Sequence, residues 1–206
     1  MKRYHVEIEF VEDLLGTVPK NKDIYQDFVR SKAPEGTATE DELETVEEIE
    51  SRGWTGFHME DGKPILYNYA IKGFFKDACS MLSRVSGKKE KGKERIAKNH
   101  SSALTAFKKI IDGLVFIEPR KIPIIVSGDI GLNVRPLRVS TPKGERVSLT
   151  QSDTCPAGSK IEFDIVVLGE VSEALLREWL DYGRFRGIGQ WRNASWGSFQ
   201  YVMTPQ

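Results

Sequence analysis

From Ser172 onward the chain carries a run of signals that agree on one local structure. Ser172 is a helix N-cap residue, and Leu175, Leu176, Trp179 and Leu180 recur at helical spacing behind it. Gly183 stands where such a helix would stop, a glycine-rich segment follows, and residues 198–203 read as a closing strand. At the other end of the chain Tyr4, Val6, Ile8 and Phe10 alternate with His5, Glu7 and Glu9. A period of two predicts a half-buried strand whose tyrosine, valine, isoleucine and phenylalanine face the core. Gly16 and Pro19 then punctuate a turn.

Between these ends the periodicity alternates. Ile71, Phe74, Phe75, Ala78, Leu82 and Val85 predict a first core helix over 70–86. Ala103, Leu104, Phe107, Ile110 and Ile111 predict a second, stopped by Gly113. Strand patterns return at 114–117 and 122–126, and 137–141 and 147–150 flank a turn at 142–145. Ile161, Phe163, Ile165 and Val167 alternate in a further strand. The order predicts an α+β fold of ferredoxin-like (RRM-like) type, a βαββαβ antiparallel sheet with a helical insertion and an extra β-hairpin. Residues 1–206 are expected to form one domain.

Two segments stand apart. Residues 33–50 hold eight acidic side chains and no basic one, which reads as a solvated insertion of about 33–53. Residues 86–99 read as a basic, glycine-containing loop. The whole chain has 206 residues, 39% of them hydrophobic and 29% charged, which is a globular composition. Its formal net charge is zero, so an anion-binding surface must come from uneven placement of charge. Cys79 and Cys155 lack zinc-site spacing, and no apolar run reaches bilayer length. A reduced, cytoplasmic setting is expected, with no metal, no cofactor and no membrane contact.

The segment 183–197 concentrates four glycines, three arginines and three aromatic residues in fifteen positions. Glycine turns expose backbone N–H groups to anions, arginine offers a fork suited to phosphate, and tryptophan stacks on bases. Arg184, Arg186, Gly187, Gly189, Trp191, Arg192 and Gly197 are therefore candidate binding residues for a phosphate-bearing ligand, although either Trp191 or Trp196 can instead serve the core. The segment follows a helix, which excludes a dinucleotide fingerprint, and it lacks GK[ST], which excludes a Walker loop. Lys72 and Lys76, four apart on the first helix, share one face near its N-terminus and complete the candidate set. His5, His58 and His100 read as ordinary surface histidines, so no catalytic residue is assigned.

These motifs resemble the CRISPR-associated RAMP superfamily. The glycine turn before the last strand resembles its signature, and 71–76 (Ile-Lys-Gly-Phe-Phe-Lys) resembles the element that begins its first helix. Leu14-Leu15-Gly16 resembles its segment after the first strand, and 152–163 resembles the hairpin of the backbone subunits of class 1 effector complexes. The resemblance implies binding of single-stranded CRISPR RNA near Lys72, Lys76 and the arginines. It implies other effector subunits, or copies of this chain, as partners. Target-cleaving backbone subunits carry an aspartate in the loop before the lysine element, and Gly53-Trp54-Thr55-Gly56-Phe57 has none. The expected function is thus a non-catalytic RNA-binding protein acting in or on a CRISPR ribonucleoprotein. The alternatives are a metal-independent endoribonuclease that processes CRISPR RNA, or a stand-alone subunit mimic that inhibits an effector.

Overall fold

The computed structural model describes residues 1–20, 53–86, 99–141, 144–169 and 171–206. The acidic insertion at 33–53, apart from Gly53, and the interior of the basic loop at 86–99 lie outside the described residues, as do two residues of the turn expected at 142–145. In chain order the elements are β1 (Lys2–Phe10), β2 (Leu14–Leu15), β3 (Val18–Pro19), β4 (Trp54–Gly56), β5 (His58–Glu60), β6 (Lys63–Tyr67) and α1 (Asn68–Leu82). There follow α2 (His100–Ala103), α3 (Phe107–Leu114), β7 (Val115–Glu118), β8 (Lys121–Pro123), β9 (Gly131–Thr141) and β10 (Gly144–Cys155). The chain ends with β11 (Lys160–Val167), α4 (Glu173–Arg186) and β12 (Phe199–Pro205). The fold is mixed α+β with antiparallel sheets.

The principal sheet has the order β12-β1-β11-β7, and every pairing in it is antiparallel. Its strands and the two long helices follow one another along the chain as β1, α1, β7, β11, α4, β12. The alternation in β1 works as expected: Tyr4, Val6, Ile8 and Phe10 are buried in one cluster with Ile71, Phe74 and Phe75 of α1 and Leu176, Trp179 and Leu180 of α4. Phe199 of β12 sets its ring edge-on against both Phe10 and Phe74, which ties strand, strand and helix together. A second sheet has the order β2-β10-β4-β3, with β9 paired along β10 and one parallel contact between β10 and β4. A small third sheet joins β5, β6 and β8.

The exit of β1 is clasped from two directions. Phe10 donates its N–H to the Ser159 carbonyl (2.9 Å) and accepts from Gly158 N–H (2.7 Å), which binds it to the β10–β11 turn. Val11 N–H reaches the Ser198 carbonyl and Gly197 N–H reaches the Asp13 carbonyl, both at 2.9 Å. The Asp13 carboxylate in turn accepts from Ala157 N–H at 2.9 Å.

Several local expectations need correction. The second helix is two helices, because Leu104 is extended and Ala106 is left-handed. The first piece answers to its own partners: Asn99 caps it, and the Glu178 carboxylate accepts the N–H groups of His100 (2.8 Å) and Ser101 (3.0 Å). Gly113 lies within α3, which runs directly into β7. Gly183 does not end α4 but sits inside it, where a Cβ would overlap the buried Phe199 ring; the helix ends at Gly187. Of the strands expected at 114–117 and 122–126, β7 joins the principal sheet, and the second is the shorter β8, Lys121–Pro123, in the third sheet. Val85, expected on the apolar face of the first helix, is exposed in a 3-10 turn beyond α1.

The open face of the principal sheet is a ladder of cross-strand ion pairs. His5 and Arg3 both reach Asp164, at 2.8 and 3.0 Å, and Lys160 pairs with Glu9 at 3.2 Å. The hydrogen bond from His5, seconded by Arg3, holds the Asp164 carboxyl below its ordinary range. A carboxylate so depressed contributes stability above its unfolded value of about 3.9 and loses it as pH falls through the lower folded value. Asp164→Asn is therefore expected to lower the melting temperature at neutral pH, with the gap to the parent protein closing as pH drops below about 4. A gap that stays constant across that range in thermal scans contradicts this assignment.

Candidate nucleic-acid interface

The glycine-rich turn is shaped by the chain crossing itself. At the end of α4, Gly187 takes φ +71° and Gly197 takes φ +68°, and Ile188 N–H donates to the Gly197 carbonyl at 3.0 Å. A Cβ on Gly187 would overlap the Trp196 carbonyl, and one on Gly197 the Ile188 carbonyl. Gly189 approaches Leu14 and Leu15 of β2, which would lie 3.0 Å from its Cβ. The space that these glycines keep open is filled by the protein's own backbone. Between them Trp191 and Ser195, both left-handed, bracket a one-turn 3-10 segment, Arg192–Ala194.

The turn brings two of the three candidate arginines together. Arg186 Nε and Arg192 Nη1 both donate to one oxygen of Asp77 on α1, at 3.0 and 3.1 Å, and Arg186 also reaches Asn193. Two guanidinium groups on one carboxylate leave a local excess of positive charge. They line a recess of about 570 Å³ together with Gly189, Trp191, Asn193 and Ala194. Arg184 is exposed and lines a different recess, beside Gln200 and Tyr201.

Lys72 and Lys76 face elsewhere. Lys76 pairs with Asp112 of α3 at 2.5 Å, and Lys72 donates to the Asp112 carbonyl at 3.2 Å with its ammonium over the Phe116 ring. Burial holds the Lys72 ammonium pKa below its ordinary value. The two lysines do share a helix face, and that face looks at α3 while Asp77, one residue on, looks at the glycine turn. At the N-terminus of α1, the Asn68 N–H already donates to the Arg120 carbonyl at 2.9 Å.

Trp191 is 41% exposed, and its ring lies over the Arg135 guanidinium at 4.1 Å. Arg135, on β9, is only 6% exposed. It donates to Ser152 Oγ at 3.1 Å and to Gln190 Oε1 at 2.9 Å, and Ser152 also meets Thr55 of β4 at 2.8 Å. Trp196 is half-buried. Arg135, Gln190 and Asp77 were not found from the sequence. Their roles depend on contacts between β9, α1 and the glycine turn, and no local spacing encodes these.

Other surfaces are less suited to RNA. The open face of the principal sheet carries Glu7, Glu9, Glu118, Glu162 and Asp164 against Arg3 and Lys160, so it repels phosphate. The three histidines are dispersed: His5 is on Asp164, His58 packs edge-on against Tyr67 at 4.7 Å, and His100 begins α2. His58 opens β5, and burial lowers its pKa. The aspartate-free segment Gly53–Phe57 runs beside Asp153 of β10, which accepts from Trp54 Nε1 at 2.9 Å and pairs with Lys20 at 2.7 Å. Among the described residues no three of His, Cys, Asp and Glu are grouped to hold a metal, and no helix is long and apolar enough to cross a membrane.

No known protein-family model matches the chain, and no curated protein matches it. Solved structures do. A chain of the Type III-B Cmr-beta complex bound to cognate target RNA superposes with a TM-score of 0.55 at 13% identity. That superposition covers 99% of this chain and 60% of the other, so this chain spans about three fifths of its neighbour's length. A chain of a Type IV-B CRISPR complex gives a TM-score of 0.48 at 11% identity, covering 98% of this chain and 90% of that one. At these identities the likeness to the first is one of fold.

The crossing at Gly187 and Gly197 makes a stability prediction. Gly197→Ala places a methyl group against the Ile188 carbonyl at a left-handed φ. It is expected to cost about 1–3 kcal/mol or more in urea unfolding. Ser195→Gly, at a left-handed position of a non-glycine residue, is expected to be neutral or mildly stabilising in the same assay. Equal effects of the two substitutions would contradict the crossing geometry as the reason for the glycine.

Proposed function

We propose that this chain is a non-catalytic RNA-binding protein of RAMP type that acts as a subunit in, or on, a CRISPR ribonucleoprotein. The observation that carries the reading is the recess at the glycine-rich turn, where Arg186 and Arg192 share a single carboxylate beside an exposed tryptophan. A groove with surplus guanidinium charge and an aromatic platform suits single-stranded RNA, which offers phosphates and unstacked bases. The antiparallel order β12-β1-β11-β7, with helices after β1 and β11, supports a ferredoxin-like assignment of the principal sheet within one domain. The fold likeness to a chain of a Type III-B complex bound to target RNA supports RNA as the ligand and effector subunits as partners, and the motif resemblance adds CRISPR RNA as that ligand and further copies of this chain as alternative partners. The acidic sheet face directs the RNA to the loop end of the molecule rather than across the strands. The dispersed histidines support binding without cleavage. Arg184, Lys72 and Lys76 remain in the proposed interface as outlying positive charges, with Lys72 and Lys76 on the flank toward α3.

The test is fluorescence anisotropy with a labelled single-stranded RNA between about 50 and 200 mM salt. Affinity is expected to fall linearly in log–log form with a slope of about −0.7 for each phosphate neutralised. Arg186→Ala and Arg192→Ala should each flatten the slope, whereas Asp77→Asn should tighten binding by freeing both guanidinium groups. Bound RNA should stay intact with or without Mg²⁺. Salt-independent binding, or none by the chain alone or in its complexes, contradicts the reading. Cleavage abolished by His5→Ala or His58→Ala would establish the endoribonuclease instead.

A further inference from the structure

Arg135 is an unusual charge. Its guanidinium is almost wholly buried, yet among the described residues no carboxylate pairs with it. Its described hydrogen-bond partners are neutral: Ser152 Oγ, Gln190 Oε1 and, at 3.4 Å, Asn133 Oδ1. Its Nε is the one buried side-chain nitrogen or oxygen without a hydrogen-bond partner among the described residues. Buried polar groups are normally satisfied, and a buried charge is normally compensated, so a missing anion is the simplest completion of this site. Desolvation works in the same direction, disfavouring the bare cation.

The surroundings provide a way in. Ser152 is fully buried and Gln190 half-buried, whereas Trp191, whose ring the guanidinium lies against, is the exposed member of the set. Trp191 holds a left-handed backbone conformation on a one-turn segment, and it lines the 570 Å³ recess that also contains Arg186 and Arg192. The exposed indole is therefore the part of this enclosure that opens toward the recess.

We propose that Arg135 is a phosphate-binding residue gated by Trp191: displacement of the indole admits a phosphoryl oxygen to Arg135 Nε, while Gln190 and Ser152 hold the guanidinium in place. This rests on the reading of the recess as an RNA-binding site and adds to it a buried phosphate position and a moving part. A phosphodiester of the RNA backbone and a free phosphate anion share the required chemistry. The fixed fork of arginine suits it better than the point charge of lysine.

The experiment labels the four tryptophans with 5-fluorotryptophan and assigns the Trp191 fluorine resonance by its absence in Trp191→Phe. Inorganic pyrophosphate and an oligouridylate are titrated separately. Both are expected to shift the Trp191 resonance. Arg135→Gln is expected to abolish the shift and weaken oligouridylate binding about 10- to 100-fold, as loss of a charge-assisted hydrogen bond implies. Arg135→Lys should recover only part of it. A Trp191 resonance that moves with pyrophosphate but not with RNA supports the anion site and overturns the RNA reading of the recess. Tight RNA binding that leaves the resonance unmoved, or moves it equally in Arg135→Gln, overturns the gated site and leaves the RNA reading standing. Should Arg135→Gln fail to fold, seen as collapse of all four resonances, the titrations of the unsubstituted protein and of Arg135→Lys still decide. No shift with either probe overturns the proposal.

Discussion

Much of the molecule hangs on how the chain leaves β1. That strand is paired on both sides, so its end is fixed in the middle of the principal sheet. Its exit segment is then hydrogen-bonded to the turn between β10 and β11 and to the last residues of the glycine-rich turn. Asp13 serves both contacts, its carbonyl taking Gly197 N–H and its carboxylate taking Ala157 N–H. The glycine turn is consequently held at its far end by a strand that is paired on both sides. Its near end is held by α4, whose Gly183 lies against the Phe199 ring. A turn fixed at both ends can carry its arginines on a defined surface with only a one-turn 3-10 segment of its own, which is how a rigid scaffold commonly supports a binding loop.

The charges follow from that placement. The sheet face is sealed by cross-strand ion pairs with carboxylates in excess, while the loop end has guanidinium groups in excess. Among the described residues, charge is thereby separated between two surfaces. Asp77 is central to the balance, since it neutralises half of the Arg186–Arg192 pair and keeps both side chains oriented before any ligand arrives. Oriented arginines lose less conformational freedom on binding phosphate, at the cost of a carboxylate that the ligand must compete with.

What the sequence revealed and what it hid divide along the range of the interactions. Local signals were readable: the period-two alternation of β1 buried the side chains it marked, and Ser172 caps α4 through its Oγ. The glycine-rich segment was recognisable as a turn, and Arg186 and Arg192 do converge there. Lys72 and Lys76 show the limit of helical spacing. It places two residues on one face but says nothing about which neighbour that face meets, and here the neighbour is Asp112. Gly183 reads as a helix stop by composition and proves to be a packing contact, because the ring that requires it is sixteen residues away in sequence. Arg135 left no mark at all, since a lone arginine on a strand gains its meaning only from Ser152, Gln190 and Trp191.

In the proposed function, single-stranded RNA binds at the recess between α1 and the glycine-rich turn. Photo-crosslinking of a 4-thiouridine-substituted single-stranded RNA to the protein, with the attached peptides mapped by mass spectrometry, tests that placement directly. The expected result is attachment concentrated within residues 186–197, centred on Trp191. Attachment concentrated on the open sheet face around Phe116 and Val202, or no attachment above that of the denatured protein, would contradict it.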